Sequence, residues 1–262
     1  MANITTAKKP IRTRLRIFMI NSRFCSAMGF KNTLIHLMRK SLFAGCFGLA
    51  LSPCFSQNRY GLRTTDFKGY EKSLKISPER ELFDLSTFIP GVILDIRYAT
   101  TNNFTGQQIY TLARAYARKP VAEALREAQK EFRKHGVGIK IFDAYRPYKA
   151  TVRFYEIYHD TTYVASPYVG SRHNRGCAID MTLVGLKDGK ELPMPTAYDS
   201  FRKEAWPTTP VSDISIRKNR DLIISVMEKH GFKVNTSEWW HFDFTGWKRF
   251  DVLDIDFEEL EK

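Results

Sequence analysis

The chain has 262 residues, with 43% hydrophobic and 26% charged side chains, the balance of an ordinary globular protein long enough to bury a sizeable core. A net charge of +13 would suggest a nucleic-acid partner, but residues 1–56 hold nine of the 41 basic residues and none of the 28 acidic ones, leaving the rest at only +4. No nucleic-acid partner is therefore expected.

Within the basic segment, Met38-Arg39-Lys40 precedes an apolar run from Ser41 to Leu51, followed by Pro53 and small or polar residues. That is the outline of a secretory signal cleaved near Ser56, too short to span a bilayer. Residues 1–56 are thus expected to be removed on export and residues 57–262 to form the working domain, with no stable membrane insertion. Two alternatives stand beside this: a lipid anchor on Cys54, for which Pro53 is a poor fit, and a cytoplasmic chain if the segment is not a signal. Cys25, Cys46 and Cys54 fall in the segment, so only Cys177 remains and no intramolecular disulfide is available. Cys177 reads as a small buried residue.

Residues 57–83 carry no firm pattern and read as an extended lead-in. Val92 to Tyr98 alternates as a strand, and residues 100–106 read as a loop. Pro120 opens a helix with Val121, Leu125, Ala128 and Phe132 at helical spacing, and Gly136 closes it. Val137 to Phe142 follows as a strand that runs into Asp143-Ala144-Tyr145-Arg146-Pro147. Pro147 restricts the residue before it and so holds Arg146 on a rigid corner, although that arginine alone would suit a surface ion pair equally well. A second helix runs from about Lys149 to His159. A third starts at Ser212 or Asp213, carries Leu222, Ile223, Val226 and Met227 on one side, and stops at Gly231. His135, His159 and His230, all at helix ends, read as structural. A charged tail ends the chain. Strands interspersed with a few helices, without internal repeats, predict one α+β domain in which helices flank a small, mainly antiparallel sheet.

Two stretches carry chemistry. In Ser171-Arg172-His173-Asn174-Arg175-Gly176-Cys177-Ala178-Ile179-Asp180-Met181-Thr182-Leu183, the residues after Gly176 alternate as a strand, with Asp180 on one face and Ile179, Met181 and Leu183 on the other. His173 precedes a turn that Gly176 can bend, so His173 and Asp180 can converge on a metal at the sheet. Zinc usually takes three protein ligands and keeps a position open for water. Ser237-Glu238-Trp239-Trp240-His241-Phe242-Asp243-Phe244 supplies His241 as the third. Glu238 then stands where a base for an activated water belongs. Positions three apart face opposite ways on a strand, so Glu238 must lie in the loop before it, as Asn235-Thr236-Ser237 suggests.

The pattern Ser171-x-His173-x-x-Gly176-x-Ala178-x-Asp180 followed by Glu238-Trp239-Trp240-His241 resembles the zinc D-alanyl-D-alanine dipeptidases of the VanX type, which are related to the zinc DD-carboxypeptidases and the Hedgehog signalling domain. The resemblance extends over Asp95–Gly106, Asp143–Pro147 and Met194–Asp199. It implies one zinc ion per chain on His173, Asp180 and His241, Glu238 as general base and acid, and Arg146 stabilising the oxyanion. It implies that Ser171 helps hold substrate and that Asp199 frames the pocket. The substrate would be a small D,D-dipeptide; the signal in residues 1–56, rather than the resemblance, places its use in a bacterial periplasm. The segment between Arg146 and Ser171 is shorter than in the type members, which would widen or reshape the pocket. Two readings compete: a DD-carboxypeptidase or endopeptidase on peptidoglycan stem peptides, and a zinc-stabilised binding module without catalysis. The second has no use for Glu238 or Arg146. Oligomeric state leaves no signal.

Overall fold

The computed structural model describes residues 58–262. The proposed signal, with its Cys54, lies outside them. Helices and strands alternate along the chain: α1 (Phe67–Leu74), β1 (Leu82–Asp84), α2 (Leu85–Phe88), β2 (Ile93–Leu94), β3 (Tyr116–Arg118), α3 (Lys119–Lys134), β4 (Val137–Asp143), α4 (Tyr148–Ile157), β5 (Ala178–Gly185), α5 (Ile214–Lys229), β6 (Phe232–Val234), β7 (His241–Phe244) and α6 (Phe257–Leu260). The main sheet has the order β2-β4-β5-β7-β6, parallel only between β2 and β4, while β1 and β3 form a separate antiparallel pair. This is the α+β arrangement with a mainly antiparallel sheet that the alternating pattern predicts.

Strands β4 and β5 are central and buried on both faces. Val137, Ile139 and Ile141 of β4 join Ile179, Met181 and Leu183 of β5 in the core, where α3 brings Val121, Leu125, Ala128 and Phe132 and α5 brings Ile223, Val226 and Met227. The opposite face of β5 carries Asp180 and Thr182. The β4–β5 register slips between Ile141 and Asp143, so Asp143 stands opposite Asp180. A bulge of this kind re-aims one side chain, here a carboxylate that regular alternation would have turned to the core.

Three expectations need correction. The strand over 92–98 shrinks to Ile93–Leu94, and a 3-10 turn takes Arg97–Ala99. The lead-in contains α1, started by Asp66, whose side chain accepts from Gly69 N–H at 2.8 Å. The hydroxyl of buried Tyr70 in that helix accepts from Leu82 N–H at 2.8 Å and ties α1 to β1. The charged tail is part of the core: Phe250, Val252, Leu253, Ile255 and Phe257 are buried between acidic neighbours that are half-buried or exposed. The Tyr145 hydroxyl donates to Ile255 C=O at 3.0 Å and accepts from Ile255 N–H at 2.9 Å, clamping the tail to the Arg146 corner. No helix among the described residues is long and apolar enough to cross a membrane.

Candidate metal centre

The turn that delivers His173 is held from several sides. Gly176 closes it at φ +66°, with its amide accepted by His173 C=O at 3.0 Å. Arg118 N–H donates to Gly176 C=O at 2.9 Å, and Arg118 Nε donates to Arg175 C=O at 2.9 Å. Asn174, fully buried, donates to Arg146 C=O at 2.9 Å and accepts from Ser171 N–H at 2.7 Å, so one amide joins the His173 turn to the arginine corner. From this turn His173 meets Asp180, which emerges from β5, and His241, which opens β7. Glu238 lies in the loop between β6 and β7, as the spacing required.

His173 Nε2, Asp180 Oδ1 and His241 Nδ1 converge: the two nitrogens are 3.2 Å apart, and the oxygen lies 3.3 Å from the first and 3.0 Å from the second. His173 Nδ1 sits 2.6 Å from Ala144 C=O and His241 Nε2 sits 2.9 Å from the Asp243 carboxylate, which places a proton on each of those nitrogens and a lone pair on each inward-facing one. Asp180 Oδ1 is buried without a hydrogen-bond donor. Three lone-pair donors thus face one point in a buried site, an arrangement that calls for a cation. Zinc fits it: tetrahedral ligands about 2.0 to 2.1 Å from the ion stand about 3.3 Å apart, and three leave one position open.

The remaining groups ring this point. Arg146 donates Nε and Nη2 to Asp143 Oδ2 at 3.0 and 2.7 Å, while Tyr110 O–H and Ala144 N–H donate to Asp143 Oδ1 at 3.0 and 2.9 Å. Burial works against the guanidinium charge, but Asp143 more than offsets it and holds the Arg146 pKa well above its ordinary value. Asp180 Oδ2 accepts from Tyr198 O–H at 3.0 Å. Glu238 Oε2 accepts from Asn235 Nδ2 at 3.1 Å and lies 3.8 Å from His241 Nδ1. Burial, reinforced by Asp180, pushes the Glu238 carboxyl up to about 8. Asp199 has left-handed backbone at φ +58° and accepts from Tyr98 O–H at 3.1 and 3.2 Å; burial and the Asp180 charge raise its pKa well above normal.

All seven residues singled out from the sequence (Arg146, Ser171, His173, Asp180, Asp199, Glu238 and His241) line one pocket of about 120 Å³. Residues 161–165, from the short segment between Arg146 and Ser171, line the pocket themselves. Sequence reasoning missed Asp143, Tyr198 and Asn174. All three lay inside stretches already singled out, but none was given a role there. His135, His159 and His230 stay outside the pocket; His230 Nε2 pairs with Glu131 at 2.8 Å instead. Trp239 and Trp240 are buried with Ala205, and Trp239 Nε1 donates to Thr196 Oγ1 at 3.0 Å, which fixes the loop carrying Glu238.

Comparison with known proteins agrees with this geometry. The sequence profile of the peptidase M15 family, described as D-ala-D-ala dipeptidase, matches residues 78–257. The D-alanyl-D-alanine dipeptidase of Escherichia coli K12 is 34% identical over 168 residues, covering 64% of this chain and 86% of that protein. The D-alanyl-D-alanine dipeptidase of Enterococcus faecium is 31% identical over 178 residues, covering 60% of this chain and 88% of that one. Among solved structures, the LD-carboxypeptidase LdcB is 22% identical with a TM-score of 0.33, over 51% of this chain and 61% of that chain, a likeness too slight to carry weight.

Proposed function

Since the chain belongs to the peptidase M15 family, we propose that it is a zinc metallopeptidase that hydrolyses the D-Ala-D-Ala dipeptide to two D-alanines. The observation that carries this is the convergence of His173, Asp180 and His241 on one point, with Glu238 Oε2 3.8 Å from His241 Nδ1 and Arg146 in the same pocket. His173 Nε2, Asp180 Oδ1 and His241 Nδ1 would hold one zinc ion, which when bound would supply Lewis acidity and lower the pKa of a water towards neutrality.

Glu238 takes the proton of the attacking water on its carboxylate and returns it to the leaving amine. A carboxylate in this position can accept a proton and, once it holds it, give it back. Asn235 keeps the carboxylate aimed at the pocket. Arg146, fixed by Asp143, offers its remaining N–H groups to the carbonyl oxygen as negative charge develops; one such donor is typically worth about 2.7 to 4 kcal/mol. The Ser171 hydroxyl accepts from His173 N–H at 3.2 Å and keeps its own proton for the substrate.

Two features favour the free dipeptide over a stem peptide. A pocket of about 120 Å³ suits a small ligand. Asp199 accepts from the Tyr98 hydroxyl while burial works against its charge, so a cation beside it would favour the carboxylate, and a free dipeptide brings an ammonium where a stem peptide has an amide. The test is amine release by the zinc-loaded chain from D-Ala-D-Ala, L-Ala-L-Ala and a stem peptide ending in D-Ala-D-Ala. Cleavage of the free D,D-dipeptide alone supports the reading, and preference for the stem peptide moves the assignment to carboxypeptidase.

The segment of residues 1–56 supports export, with action on dipeptide outside the cytoplasm in wall turnover or nutrition. Intact residues 1–56 on protein recovered from the cytosol would contradict that part.

A further inference from the structure

Asp243 stands two residues beyond His241 on β7, but it does not line the pocket shared by Glu238 and Arg146. It opens instead on a separate cavity of about 430 Å³, beside Arg172, Lys233 and Trp247. One carboxylate oxygen, Oδ1, lies 2.9 Å from His241 Nε2. The other, Oδ2, lies 3.6 Å from Arg172 Nε, and that guanidinium sits 4.9 Å above the Trp247 ring. The carboxylate is thus gripped between an imidazole N–H and an arginine that has its own seat.

A neutral imidazole carries its proton on one nitrogen only, so whatever accepts that proton decides which nitrogen keeps the lone pair. For His173 the acceptor is the Ala144 carbonyl, 2.6 Å from Nδ1, which turns the lone pair of Nε2 inward. For His241 the assignment is reversed: the acceptor is at Nε2, and Nδ1 faces His173 Nε2 at 3.2 Å and Asp180 Oδ1 at 3.0 Å. The two histidines therefore present opposite nitrogens, one fixed by the main chain and the other by a side chain. Outer partners of this kind orient a ligand and raise its basicity.

We infer that Asp243 is a positioning residue for the metal site, fixing the ring orientation and tautomer of His241 so that Nδ1 is the ligating nitrogen, with Arg172 holding the carboxylate from behind. The inference rests on the reading of His173, Asp180 and His241 as zinc ligands.

The test uses the full chain with Asp243→Ala and Asp243→Asn, the second because an amide oxygen can accept the same hydrogen bond. Zinc affinity is measured by competition with a chromophoric chelator. Proton–nitrogen correlation spectra of the zinc-loaded proteins follow the His241 Nε2–H, and circular dichroism of the metal-free proteins checks that all are folded. Asp243→Ala is expected to bind zinc about 10 to 100-fold more weakly and to lose the Nε2–H signal to exchange with water. Asp243→Asn is expected to keep the signal and to stay within about tenfold of the wild type. Wild-type affinity in Asp243→Ala, or an Asp243→Asn as weak as Asp243→Ala, overturns the inference while leaving the ligand reading intact. A wild-type chain that takes up no zinc overturns both.

Discussion

Replacing Arg146 with alanine separates the two roles that the structure gives this side chain. Its guanidinium makes two hydrogen bonds, of 3.0 and 2.7 Å, to Asp143 Oδ2, and Asp143 is only 1% exposed. Truncation removes a donor aimed at the reacting carbonyl, which lowers turnover about 10²- to 10³-fold, or about 2.7 to 4 kcal/mol. It also leaves a buried carboxylate without its counter-ion, a loss that costs about 3 to 5 kcal/mol. Tyr110 O–H and Ala144 N–H still hold Asp143 Oδ1, so the lower end of that range is expected. A companion variant, Asp143→Asn with Arg146→Ala, removes the orphaned charge and should recover most of the stability and none of the turnover. Urea unfolding of the zinc-loaded proteins gives the first quantity, and D-alanine release at saturating dipeptide gives the second. Turnover of a folded Arg146→Ala within about threefold of the wild type, against the expected loss, or recovery of turnover in the double variant, would refute the reasoning.

Other consequences concern the scaffold and the metal. Burial pushes the Cys177 thiol up to about 12, so the folded protein should resist alkylation of Cys177 at pH 8, with labelling mapped by mass spectrometry appearing only on unfolding; rapid labelling of native protein would contradict this. Between about pH 8.5 and 12 the folded state keeps a proton on Cys177 that the unfolded state has lost, so stability falls with rising pH by up to about 1.4 kcal/mol per unit. Cys177→Ala should remove that slope in urea titrations at pH 9 and 10. Gly176→Ala should destabilise by at least about 1 to 2 kcal/mol, because φ is +66° and an added Cβ would lie 2.7 Å from Leu82 Cδ2; an unchanged urea midpoint would sink this. Zinc held by the native site alone should raise stability by about 4.1 kcal/mol at a thousand times its Kd, and chelation should reverse it.

Much of the site was legible because its residues cluster in two short stretches. Alternation after Gly176 put Asp180 opposite the core-facing Ile179 and Met181, and Asn235-Thr236-Ser237 marked the loop that carries Glu238. What stayed hidden depends on tertiary register. Asp143 reaches the site only because β4 slips by a residue against β5, a shift without a local signature. Tyr198 stands beside the singled-out Asp199, but its own bond reaches Asp180 across a long loop, a contact set by tertiary structure. Helix α1 escaped because it is short, with one side-chain cap, one buried residue, Tyr70, and only Phe67 and Leu74 packed beside it, too few for a long apolar stripe. In the tail, acids at 251, 254, 256 and 258 masked the inward set of Phe250, Val252, Leu253, Ile255 and Phe257, which belongs to the core. The strand predicted over 92–98 stops after Leu94, where Arg97–Ala99 turns to bring Tyr98 against Arg146, its ring 5.4 Å from the guanidinium.

The central claim is that three side chains hold zinc while a fourth, beside them, moves the proton. Metal content and dipeptide turnover measured together on Glu238→Ala test it most directly. The expected protein carries one zinc per chain, as the wild type does, and releases D-alanine at least about 10²-fold more slowly. A Glu238→Ala protein that has lost its zinc would make Glu238 a ligand, and one that keeps both zinc and turnover would remove it from the chemistry altogether.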